Sequence, residues 1–159
     1  MAIHLNFAIE NDLDEVSKIF LEILDSLSYY NDLAKRNERI KYATDELRKK
    51  IYEDKYSIIV VRDDTILVGF CFSRFDDYTI WLEWFGISKN YRGTEIGNMI
   101  LSKLEESTLV RGCHKIWCDS RTENVASFKV LQRNGFTLLT TLKNHWYNQD
   151  FFIWQKYLG

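Results

Sequence analysis

A chain of 159 residues, 46% hydrophobic and 28% charged, has apolar side chains enough for one core and is too short for two ordinary domains. That balance excludes a disordered chain, and no apolar run approaches the length of a membrane-spanning helix. A net charge of −2 at pH 7 offers no field for a phosphate backbone, so nucleic acid is excluded as principal partner while a cationic substrate is compatible.

Ile3, Leu5, Phe7 and Ile9 alternate with polar residues and Ala8, as in a half-buried first strand. Asn11 or Asp12 then stands where a helix cap belongs, and Leu13, Val16, Ile19, Phe20, Ile23, Leu24 and Leu27 recur at helical spacing. Ser28 to Asn37 reads as a polar connection carrying the Tyr29-Tyr30 pair. A second helix is predicted through Ile40, Ala43, Leu47 and Ile51. The β-branched run Tyr56–Val61, the pair Asp63-Asp64 and the run Ile66–Phe72 predict a hairpin, and Asp76-Asp77 turns the chain into a long strand, Thr79–Ser88.

From Ile96 onward Met99, Ile100 and Leu104 form an apolar stripe, so a helix is predicted that ends near Arg111-Gly112. A strand follows from Ile116 to Ser120. Ala126–Asn134 reads as a short helix closed by Gly135, and two strands, Phe136–Leu142 and Phe151–Tyr157, end the chain around the loop Lys143–Asp150. The expected fold is one mixed α/β domain over residues 1–159. Cys71, Cys113 and Cys118 are odd in number and lack metal-ligand spacing, so they read as core thiols, with no zinc site or disulfide framework. His4, His114 and His145 are scattered singly. With no basic segment followed by an apolar one at the N-terminus, the expected location is the cytoplasm.

Tyr91-Arg92-Gly93-Thr94-Glu95-Ile96-Gly97 lies where a strand hands over to a helix, a place where free backbone amides and the helix dipole attract phosphate. No Gly-Lys-Ser/Thr follows, so the nucleotide-binding P-loop is absent. Arg92 and Gly97 match the ends of the coenzyme A signature of the GNAT superfamily of N-acetyltransferases, which the chain resembles. Trp81 to Gly93 resembles the strand and turn before that signature. Asn124-Val125-Ala126-Ser127, Leu131 and Gly135-Phe136 resemble the second motif of the family. Among its members the motifs resemble those of the spermidine/spermine and ribosomal-protein N-terminal acetyltransferases.

The resemblance implies a twisted mixed sheet of about six to seven strands with about four helices, its fourth and fifth strands splayed to admit acetyl-coenzyme A (acetyl-CoA) as cosubstrate. It implies a pantetheine arm along Phe85, Gly86 and Ile87, Arg92 at the turn, and a pyrophosphate cradled by the amides of Gly93, Thr94, Glu95, Ile96, Gly97 and Asn98. Glu95 stands where the family has glycine, and Leu131 where many members carry the tyrosine that protonates the leaving thiolate. Glu83 is the leading general base by resemblance and by strand alternation with Phe85 and Ile87; a solvated charge or an ion pair is the structural alternative. Asp119 stands in reserve. Ser127 is expected to bind the coenzyme or donate a proton, or else to cap its helix, and Asn124 to bind the coenzyme or cap the same turn.

Trp81, Trp84, Trp146, Tyr147 and Trp154 flank the expected cleft, most of them as core and one or two as walls for an acceptor. With Glu83 and Asp76 or Asp77 they suit a cationic amine, small or peptidic. The alternative is a GNAT module that holds acyl-CoA without turnover. No metal and no membrane contact is expected, and a homodimer is.

Overall fold

The computed structural model describes residues 1–159. Seven strands form one sheet: β1 (Ile3–Phe7), β2 (Ile58–Asp63), β3 (Ile66–Asp76), β4 (Thr79–Ile87), β5 (Lys115–Arg121), β6 (Thr137–Leu142) and β7 (Phe151–Tyr157), in the spatial order β1-β2-β3-β4-β5-β7-β6. Five helices cover it: α1 (Leu13–Ser26), α2 (Asp32–Lys41), α3 (Thr44–Glu53), α4 (Ile96–Val110) and α5 (Val125–Arg133).

The central strands are apolar on both faces because both are covered. In β2, Ile58 and Val60 face α1 and α3 together with Phe20, Leu24, Leu47, Phe70 and Phe72. Ile59 and Val61 face α4 together with Ile100, Leu104, Ile116 and Trp154. Neighbouring strands are antiparallel except β4 and β5, which run parallel and pair only at Ile80–Ile116, Trp81–Trp117 and Leu82–Cys118. Beyond Leu82 the two strands part, and the β5-side edge of β4 from Glu83 to Ile87 is left without a strand partner.

Three expectations are corrected by this fold. The single helix through Ile40, Ala43, Leu47 and Ile51 is two helices, and α2 begins inside the stretch expected to be polar connection. Asn31 caps α2 by accepting the Ala34 amide at 2.9 Å. Only Ala34 and Glu38 turn inward while Ile40 is exposed, so α2 carries no apolar stripe to read. The first strand stops at Phe7, leaving Ile9 exposed, and Asp12 at the start of α1 accepts from the Ile9 amide instead of capping α1 itself.

Glu83 is the third correction. The β3–β4 register passes from Phe72–Trp84 to Ser73–Leu82, so Glu83 is an extra residue in a β-bulge. The bulge resets the alternation: Leu82, Phe85 and Ile87 pack with α4, while Glu83 reaches Tyr42 and Lys50 on the α1–α3 side. It does not share the face of Phe85 and Ile87.

Candidate active site

The gap between β4 and β5 opens into two cavities. The larger, 420 Å³, runs from the start of α4 along the free edge of β4 to α5. The smaller, 170 Å³, lies behind it under α2 and the β6–β7 loop. Four residues line both: Tyr30 from the α1–α2 connection, Glu83 and Trp84 on β4, and Asp119 on β5. They mark the junction.

The larger cavity is a backbone site. Gly93 adopts φ +76°, a conformation that L side chains rarely take, and turns the chain into α4. The amides of Gly93, Thr94, Glu95, Gly97 and Asn98 have no partner in the chain, the expected state of a helix's first turn. Thr94 donates its hydroxyl to the Tyr91 carbonyl at 2.6 Å and accepts weakly from the Ile96 amide at 3.4 Å. The donors present therefore fit a pyrophosphate. Arg92, Lys129 and Arg133 line the same end and supply cations that sequence reasoning credited only to Arg92.

Glu95 sits at φ −75° as the residue before α4, so glycine is not needed there, and its carboxylate accepts from the Asn98 side chain at 2.6 Å. Arg92 donates Nε to the Ile87 carbonyl at 3.0 Å, which ties the turn to the end of β4. At Gly86 a Cβ would stand 2.6 Å from the Phe70 ring, so this position must be glycine for β4 to pack. Asn124 caps α5, accepting the Ser127 amide at 3.2 Å and donating to the Ser127 hydroxyl at 2.8 Å. Leu131 is buried in the core.

The smaller cavity is a side-chain site, walled by Tyr30, Tyr42, Trp81, Trp84, Trp146, Tyr147 and Phe151 with Glu38, Lys41, Arg74, Glu83 and Asp119. Asp76 and Asp77 stand at the expected β3–β4 turn, with Asp77 at φ +47°, and neither lines this cavity. Trp154 is core, its indole N–H donating to the Ser120 hydroxyl at 2.9 Å. All three cysteines are buried, and burial pushes the Cys71 thiol up to about 12.

Glu83 is paired with Lys50, accepts from the Tyr42 hydroxyl at 2.9 Å and lies 3.8 Å from Arg74. Glu38 on α2 is buried, and one of its oxygens lacks a hydrogen bond; burial raises its carboxyl. Asp119 has neither a hydrogen-bond donor nor an ion-pair partner, and burial, reinforced by Glu38, lifts its carboxyl to about 7. Tyr30, Glu38, Lys41 and Arg74 escaped sequence reasoning because nothing local marks a residue as lining a cavity built from six distant segments.

Comparison with known proteins agrees with this geometry. The Acetyltransferase (GNAT) family matches residues 20–136. The fold superposes on PaiA N-acetyltransferase from Thermoplasma acidophilum in complex with coenzyme A (CoA), with a TM-score of 0.84 at 20% identity over 99% of each chain. It also superposes on yncA from Salmonella typhimurium, solved with its cofactor acetyl-CoA, at TM-score 0.82 and 17% identity over 100% of this chain and 95% of that one. An acetyltransferase of Yersinia pestis is 23% identical over 97 residues, 61% of this chain and 69% of that protein. With that family matched across most of its length and its two-cavity cleft in place, the chain belongs to the GNAT acetyltransferase family, whose cosubstrate is acetyl-CoA.

Proposed function

We propose that the protein is an N-acetyltransferase that moves the acetyl group of acetyl-CoA to a primary amine by direct attack in a ternary complex. The observation that carries this reading is the junction: two cavities with different linings meet at Tyr30, Glu83, Trp84 and Asp119. The pyrophosphate would take the free amides from Gly93 to Asn98, with Arg92, Lys129 and Arg133 around it. The pantetheine would follow Phe85, Gly86 and Ile87 along the free edge of β4, with Ser127 and Asn124 on the opposite wall. The thioester then ends at the junction, and an amine from the aromatic cavity reaches it from the other side.

The acceptor cavity is suited to a cation, since aromatic faces and three carboxylates outnumber Lys41 and Arg74. Glu83, the leading base by sequence, faces Lys50 and Tyr42, an arrangement that fits the electrostatic seating of an ammonium. Ser127 shares its hydroxyl with Asn124 and would contact the coenzyme from α5. A cytoplasmic homodimer is part of the same reading; β6 leaves Leu138 and Leu139 exposed at the sheet edge.

One observation favours a second reading. Leu131 is buried and aprotic, so α5 lacks an acid at the position where many members of the family carry a tyrosine, as in a module that binds acyl-CoA without turnover. Thiol release from acetyl-CoA, measured with pooled primary amines, separates the two. Amine-dependent release is expected. Thermal stabilisation by CoA without any release would leave the binding module.

A further inference from the structure

Leu131 leaves the chain without the usual acid, and Glu83 is already engaged by Lys50, Arg74 and Tyr42. Two protic groups at the junction are unengaged. The Asp119 carboxyl has no hydrogen-bond or ion-pair partner, and the Tyr30 hydroxyl has none either. Both residues line both cavities, so each can meet the amine from one side and the thioester from the other.

Tyr30 is held there by its neighbours. The Tyr29 carbonyl accepts from Arg121 at 2.6 Å and from Gln149 at 3.0 Å, and Asn31 binds the β6–β7 loop through the Tyr147 carbonyl at 2.9 Å. The Arg121 guanidinium lies 6.0 Å from the centre of the Tyr30 ring. A side chain fixed this way is pre-organised for chemistry.

We propose that proton transfer at the junction runs through Asp119 and Tyr30: the Asp119 carboxylate takes the proton of the attacking amine, and the Tyr30 hydroxyl protonates the departing thiolate. This rests on the reading of the chain as an N-acetyltransferase. The amine nitrogen bonds to the carbonyl carbon as its proton passes to Asp119. The carbon–sulfur bond breaks with its electron pair on sulfur, and sulfur takes the Tyr30 proton. Asp119 then returns a proton to the Tyr30 phenolate, so a neutral amine gives only the amide and the free thiol; an acceptor that arrives as an ammonium first releases one proton to solvent.

The groups facing Asp119 are Glu38 and Lys41 from α2, Arg74 from β3, Glu83 from β4 and Tyr30 itself. Burial with Glu38 outweighs Lys41 and Arg74, so the carboxyl titrates near 7 and is a base at and above neutrality. Burial, reinforced by Asp119, keeps the Tyr30 phenol protonated before attack, and the loss of the Asp119 charge when it takes the amine proton removes that reinforcement as the thiolate forms.

The test compares the parent with Asp119→Asn and Tyr30→Phe, each first checked for unchanged folding and CoA affinity. In the parent, kcat should rise with pH through about 7. Asp119→Asn should lose about 10²-fold or more in kcat and lose that rise. Tyr30→Phe should lose about 10²-fold with acetyl-CoA. It should recover most of that loss with the acetyl thioester of a nitro-substituted aryl thiol, which leaves without protonation. A retained rise in Asp119→Asn, or equal loss with both thioesters in Tyr30→Phe, overturns the proton route while an active parent upholds the acetyltransferase reading. A parent that releases no thiol with any amine overturns both.

Discussion

The two cavities are built by different rules. The proposed coenzyme side takes its free amides from one continuous stretch, the free edge of β4 and the turn into α4, with β5, α5 and the end of α1 as its other walls. The acceptor side gathers side chains from the α1–α2 connection, α2, β3, β4, β5 and the β6–β7 segment. A main-chain site tolerates a change of side chain such as Glu95, whereas a side-chain site depends on each pair being kept. Substitutions on the acceptor side should therefore cost more, or change more, than those on the coenzyme side.

The largest effect is expected at Lys50. Lys50→Met leaves Glu83 with Tyr42 and a distant Arg74, and removing one partner of a mostly buried ion pair costs about 3–5 kcal/mol. Urea unfolding should show that loss. Adding Glu83→Gln to Lys50→Met should restore most of it, since the stranded charge is then gone. A small loss in the single variant would mean that water already screens the pair.

Asp119 comes next, with the opposite sign. Its carboxyl, near 7 when folded and about 3.9 when unfolded, adds stability below pH 4 that is lost as the pH rises through 7. Asp119→Asn should therefore match the parent at pH 4. At pH 8 it should be more stable by up to about 4 kcal/mol, or roughly 2–4 °C in Tm per kcal/mol. Equal melting temperatures at both pH values would place the carboxyl in ordinary solvent.

How much of this was legible follows the same division. The turn from β4 into α4 could be read because Arg92, Gly93 and Gly97 lie close together in the chain and a turn into a helix is local. The order of strands could be read because alternation and turn pairs such as Asp63-Asp64 are local too. The α2 helix could not, since its inward residues Ala34 and Glu38 make no apolar stripe. Nor could the side of β4 that Glu83 takes, because a bulge is set by pairing with β3 and leaves no mark in β4 itself. Tyr30 and Asp119 meet across 89 positions of chain only through tertiary packing.

On the coenzyme side the effects shrink. Asn124→Ala removes the cap of α5 and should cost about 1 kcal/mol in chemical unfolding while CoA affinity stays within about twofold. A loss of affinity of about tenfold or more would give Asn124 a direct part in binding. Glu95→Gly takes a carboxylate from beside the free amides and should tighten CoA by only about two- to fivefold at low salt, read by calorimetry. A much larger gain would show that the Glu95 charge faces the pyrophosphate.

The central claim is that thioester and amine meet at the junction of the two cavities. Acetyl-CoA labelled with carbon-13 in the acetyl methyl, bound to the protein, reports its own surroundings through nuclear Overhauser contacts. The methyl should contact the rings of Tyr30 and Trp84. Contacts confined to Val130 and Ala126 on α5, with none to those rings, would put the acetyl group away from the junction and contradict the account.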